Sequence, residues 1–201
     1  MTQNSPINWR KEDDGAGGEV RVADLGTLTS MEVSMEFEQR KTALSGLIKA
    51  DPDLVAGIGA GGMMVDLVDP KDNPTGKRIN GAVQCVGGDA KGSGAEVVRV
   101  DVTRMLAEDG DINTIVLGGF CKGRKGFGAI AGALLRVYDT STGERRHLAN
   151  VRFDISSTES GVLACSLHQL ADGGWEIRNQ PRYGRAATVA DLGNLFRTAL
   201  R

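Results

Sequence analysis

The sequence predicts an all-β fold, a β-sandwich of two antiparallel sheets with a C-terminal amphipathic helix. Three observations carry this. Short apolar runs recur at regular spacing between Gly, Asp and Ser clusters, most clearly from Leu134 to Gly184. Met31, Val33, Met35 and Phe37 alternate with Glu32, Ser34 and Glu36, the period of a strand with one face toward a core. The last segment, 188–201, instead repeats its apolar residues at helical spacing.

Residues 1–18 are polar, charged and Gly-rich, and read as a flexible tail in which Trp9 is the residue able to dock on a surface. The sandwich domain is expected over 19–187. Its first strands are 19–24 and 31–37. In 39–50, Ala43, Leu44, Leu47 and Ile48 have helical spacing, so a short helix or a long hairpin connection is expected. Further strands are expected at 53–60, 63–68, 82–86, 96–100 and 114–117, with a single helical turn at 102–107. The C-terminal block starts at 129–138, turns at Asp139–Gly143, and continues through 151–155 and 162–167. After the turn Ala171–Gly174 it ends in Trp175–Arg178. In 188–201, Val189, Leu192, Leu195, Phe196, Ala199 and Leu200 share one helix face, with Thr188 as N-cap and Asp191 at N3. That face either packs on the sandwich or binds a partner.

Composition narrows the function classes. A length of 201 residues suffices for one domain with a substantial core, and aromatics are only 4%, so aliphatic residues must fill it. A net charge of −2 predicts no general affinity for nucleic acid or anionic lipid. Glycine, 28 of 201 residues, is about twice as frequent as usual, in keeping with many tight turns. Cys85 and Cys165 sit in apolar runs and Cys121 in a Gly/Lys loop. Their odd count and lack of C-x-x-C spacing argue against a disulfide framework or structural zinc, and reduced thiols fit a cytoplasmic protein. No secretory signal or membrane-spanning run is visible, and His147 and His168 read as ordinary strand residues.

Gly57-Ile58-Gly59-Ala60-Gly61-Gly62 matches G-x-G-x-x-G, but Pro70 and Pro74 follow closely and no helical stretch begins, so no nucleotide is expected. The glycines instead permit a tight turn or close packing between strands. The segment Gly118 to Lys125 fails the phosphate-loop test, because Arg124 and Lys125 stand where Lys and a hydroxyl are needed. Lys122, Arg124 and Lys125 read as solvated, or as contacts for an anion or acidic partner. No nucleophile elbow or H-E-x-x-H motif is present, and no enzyme is expected. Two oxygen-rich segments remain: Asp51-Pro52-Asp53 before a strand, and Gly88 to Glu96, a Gly-rich loop with carboxylates at Asp89 and Glu96. Carboxylates and loop carbonyls are what a hard cation such as calcium requires.

The C-terminal block resembles the tellurium-resistance TerD family. Leu135, Arg136, Val137 and Gly143 match its strand and T-G turn. Phe153, Asp154, Ser157, Thr158 and Glu159 match its Y-D-L-S-E-D-S-E-T-A segment. Gly174, Trp175, Tyr183 and Gly184 match its G-E-W-K-F strand and closing turn. Earlier in the chain, Asp51 and Asp53 match a D-x-D, and Gly88, Asp89, Gly92, Gly94 and Glu96 match parts of an acidic loop followed by Val100-Asp101-Val102. The resemblance implies a calcium site at Asp51, Asp53, Asp89 and Glu96. The loop here is about four residues shorter and carries Lys91, which lowers the anionic ligand count. The family also implies a cytoplasmic bacterial stress-response module for tellurite, toxic-oxyanion or phage resistance. It would bind protein partners or itself, in an assembly that can be peripheral to a membrane. The alternative is an assembly protein that has kept the sandwich and lost the ion site.

Overall fold

The computed structural model describes residues 9–13, 19–39, 51–86, 96–121, 126–153 and 159–200. Twelve strands among them form two antiparallel sheets. The larger has the order β1 (Arg10–Asp13), β2 (Glu19–Gly26), β12 (Trp175–Gly184), β11 (Gly161–Gln169), β8 (Ile112–Cys121), β4 (Pro52–Ala60) and β5 (Met63–Val68). The smaller has the order β10 (Arg146–Phe153), β9 (Ile130–Asp139), β3 (Ser30–Gln39), β7 (Glu96–Asp101) and β6 (Val83–Val86). The predicted sandwich is therefore the observed architecture.

The core lies between the sheets. Leu54, Ile58, Ile115, Leu117, Leu167, Trp175 and Ile177 of the larger sheet cluster with Met31, Val33, Met35, Val98, Leu135 and Val137 of the smaller. Burial of this apolar surface is the main driving force holding the layers together. In β3, Met31, Val33 and Met35 face the core as their alternation requires. The opposite face is not the solvated one the sequence implied: Glu32 and Ser34 are also buried. Arg99 Nε and Arg145 Nη2 reach over Glu32, at 3.0 and 2.8 Å, and cover it.

Two other expectations change. Part of the anticipated tail is a strand: β1 pairs with β2, Trp9 packs against the core, and Arg10 Nη2 bonds Glu176 Oε2 at 3.0 Å. Cys121 is not in a loop but ends β8, fully covered. The helical spacing in 39–50 falls almost wholly outside the described residues.

Short local devices set the helices. Asp101 caps α1 (Val102–Glu108) by accepting from Arg104 N at 2.9 Å. The Asp191 carboxylate accepts from Thr188 N and Ala187 N, both at 2.9 Å, and fixes the start of α2 (Val189–Phe196). α2 lies on the outer face of the larger sheet, where Leu192, Phe196 and Leu200 form a second apolar cluster with Val55, Val116 and Leu163.

This explains the G-x-G motif. Gly57 and Gly59 lie inside β4, which turns at Gly61 and Gly62 into the antiparallel hairpin with β5, so no helix begins there. A Cβ on Gly57 would come within 2.7 Å of Phe196 Cδ2, and one on Gly59 within 2.5 Å of Leu200 Cδ2. The close packing is between strand and helix, not between strands.

Candidate functional site

At one end of the sandwich the edge of each sheet approaches the other, β4 and β5 against β6 and β7, and Cys85 Sγ lies 3.8 Å from Leu54 O. Both oxygen-rich segments lead here. Asp51 and Asp53 stand at the start of β4, because the Asp-Pro-Asp run enters the strand directly. Glu96 is the first residue of β7. Asp51 is exposed, whereas Asp53 and Glu96 are 5% and 7% exposed.

The structure adds a residue the sequence reading missed. Lys71, in the connection from β5 to β6, places Nζ 2.6 Å from Asp53 Oδ2. The turn that delivers it is built on Asp69, whose Oδ1 accepts from Lys71 N and Asp72 N at 2.9 and 2.8 Å. Asp66 braces the same connection through Asn73 Nδ2 and Arg78 N, each at 2.9 Å. The Asp-Pro-Lys-Asp-Asn-Pro composition marks this stretch as a turn. Nothing in the spacing says that its lysine returns to a carboxylate 18 positions earlier.

The electrostatics are those of crowded, half-compensated acids. Burial raises the pKa of Asp53, and Lys71 only partly opposes this. The hydrogen bond to Asp53 raises that of Lys71, which is much the more exposed partner. The pair is thus asymmetric, with the desolvation cost falling on the carboxylate. Glu96 is pushed up to about 7, first by burial and then by the negative charges of Asp53 and Asp51. Among the described residues no hydrogen-bond donor meets its carboxylate.

Asp89 lies outside the described residues, as do Lys122, Arg124 and Lys125. Among the described residues no group of three His, Cys, Asp or Glu side chains is placed to hold a metal ion. Asp53 is engaged by the Lys71 ammonium. The structure therefore brings Asp51, Asp53 and Glu96 into one charged neighbourhood, with Lys71 inside it.

Two further clusters bear on chemistry. Ser166 Oγ and His168 Nε2 are 2.8 Å apart, a separation that suits a nucleophile and its base. Ser166 has no exposed surface, and Gln180 Nε2 donates to its Oγ at 3.0 Å. Burial, aided by Arg178, lowers the pKa of His168 to about 4 and keeps it neutral. This is a satisfied polar network between strands, closed to a substrate. Burial likewise raises the thiols of Cys85 and Cys165 to about 12 and Cys121 to about 11, so none is a thiolate nucleophile at neutral pH.

On the outer face of the smaller sheet, a groove of about 370 Å³ is lined by Ser30, Glu32, Gln84, Arg99, Asp101 and Arg104, among others. Elsewhere on this sheet Arg136 bonds Glu36 at 3.0 Å, and Arg145 lies 4.0 Å over the Tyr138 ring.

Two solved structures share this architecture. The chain superposes on a protein of unknown function, SAV2460, with a TM-score of 0.61 and 16% identity, covering 83% of this chain and 95% of that one. It superposes equally on SCO6318 of Streptomyces coelicolor A3(2), a homologue of the telluride resistance protein TerD, with a TM-score of 0.62, 16% identity and the same coverage. The fold is that of this TerD homologue. No protein-family model matches the sequence, and no curated protein matches it either. Among the described residues no helix is long and apolar enough to cross a membrane.

Proposed function

We propose that this protein is a non-catalytic binding module of a bacterial stress response, acting in the cytoplasm in resistance to tellurite, related toxic oxyanions or phage. The observation that carries the reading is the TerD-like sandwich, matched over 95% of a solved homologue of the telluride resistance protein. Protein partners or a second copy are its targets, in an assembly that can sit at a membrane surface. The charged outer face of the smaller sheet and the groove beside Arg99 and Arg104 favour a polar partner.

Calcium belongs to this reading as a weak ligand of the Asp51, Asp53 and Glu96 end. Lys71 must leave Asp53 before the cation enters, and the shortened loop supplies few charges, so affinity falls near the millimolar end of the calcium-site range. Calcium at about 1–10 mM is expected to raise the melting temperature, with magnesium much less effective. Absence of any shift up to about 10 mM would remove calcium from the reading. The second reading, an assembly protein whose ion site is lost, would then lead, and the Lys71–Asp53 ion pair favours it.

A further inference from the structure

We propose that Lys71 is a tethered counter-ion that occupies the cation position of the acidic end and sets how weakly that end takes a divalent ion. The inference rests on the reading of this end of the sandwich as a cation centre. Two observations support it independently. Lys71 Nζ is 2.6 Å from Asp53 Oδ2, which is contact distance for an ammonium on a buried carboxylate. Glu96, 7% exposed, brings a second carboxylate into the same neighbourhood, with no hydrogen-bond donor on it among the described residues. A buried acid normally carries a proton, a donor or a cation. At Asp53 the positive charge is supplied from the protein's own chain.

The surrounding groups make Lys71 the natural competitor. The acids are Asp51 just before β4, Asp53 on β4, Asp69 in the connection, and Glu96 on β7. The adjoining side chains from β6 and β8 are the thiols Cys85 and Cys121, which stay protonated and add no charge. Among the described residues Lys71 contributes positive charge to the field at Asp53 and Glu96. Its side chain is 57% exposed, so it can swing into water without crossing the core. A divalent ion must displace it, and one unit of attraction is spent against one already present. The protein thereby holds its acidic end together without metal, and calcium binds only when it outcompetes a neighbour at very high effective concentration.

The test compares wild type with Lys71→Met, which keeps the aliphatic stem and removes the charge. Calcium is titrated calorimetrically and by thermal unfolding, with EDTA as the metal-free reference. Lys71→Met should melt lower than wild type in EDTA, bind calcium about tenfold or more tightly than wild type, and regain stability with the metal. If wild type shows no calcium response and Lys71→Met acquires one, the calcium part of the proposed function fails while this inference stands. Equal calcium responses in the two proteins, including no response in either, would overturn it. Lys71→Met/Glu96→Gln covers the case of a variant that does not fold. This double variant should fold in EDTA and bind calcium no more tightly than wild type. Failure of both variants to fold would mean that Lys71 acts by packing, and the counter-ion assignment would be wrong.

Discussion

The seating of α2 on the larger sheet can be tested by a double-mutant cycle between Gly57 and Phe196. Phe196 is fully buried, and its ring edge would lie 2.7 Å from a Cβ at Gly57, with Met64 Sδ at 3.0 Å. Phe196→Ala removes a buried aromatic ring and should cost about 3–5 kcal/mol. Gly57→Ala forces a methyl against that ring and should cost about 1–3 kcal/mol, as overpacking does. In the Phe196→Ala background the methyl meets vacated space. There Gly57→Ala should be neutral, or stabilising by roughly 0.4–1 kcal/mol through the stiffer unfolded chain. The double variant should therefore be more stable than the sum of the singles by about 1–3 kcal/mol.

Gly118 supplies the contrast. A Cβ there meets the same ring and also the Val162 carbonyl oxygen on the neighbouring strand. Removing the ring cannot relieve a clash with backbone, so Gly118→Ala should stay destabilising in both backgrounds. Urea unfolding at constant m-value reads all of these differences. Additivity of Gly57→Ala and Phe196→Ala within about 0.5 kcal/mol would refute the placement of the ring over β4. So would a cost below about 1 kcal/mol for Phe196→Ala, which would turn the apolar face of α2 into a partner surface instead.

Two further outcomes are expected. Glu96, raised to about 7 in the fold from 4.5, favours folding fully below 4.5 and loses that contribution as pH rises toward 7. His168, lowered to about 4 from 6.5, contributes fully above 6.5 and loses it as pH falls toward 4. The two slopes oppose each other, so Glu96→Gln should unmask stability that rises from pH 4 to 6.5 and His168→Gln stability that falls from 4.5 to 7. Each change is on the order of 2–3 kcal/mol in denaturant titrations, and identical pH profiles for the two variants would count against both assignments. Asp191→Ala, which removes the acceptor of Thr188 N and Ala187 N, should cost about 1 kcal/mol and make the amides of 187–190 exchange faster with solvent water. Unchanged exchange would show that packing alone holds the start of α2.

Much of the chain was legible because strand and turn signals are local. Alternation in 31–37 marks β3. The Asp139–Gly143 turn is readable because Asp139 Oδ1 accepts from Ser141 N at 2.8 Å and Gly143 takes φ 84°, both dictated by residues within a few positions. Thr188 and Asp191 announce α2 by the same logic. The resemblance in the C-terminal block points to a TerD-like fold, and the two superpositions support it at the level of fold.

Pairing across the chain was not legible, since the hydrophobic pattern says that a strand has a buried face but not which strand lies beside it. β12 enters between β2 and β11, and β3 between β9 and β7, which joins residues as far apart in the chain as Arg21 and Asn179. The role of Gly57 depends on Phe196 arriving from the far end of the chain, so the motif alone suggested a turn or strand packing. Burial of Glu32 depends on Arg99 of β7 and on Arg145, just before β10. The acidic end shows the division most sharply. Sequence determined which carboxylates were available, because Asp51, Asp53 and Glu96 open their strands. Tertiary structure alone decided that Lys71 would meet them, because an ion pair depends on distance in space, and that distance is set by how β5, its turn and β7 pack together.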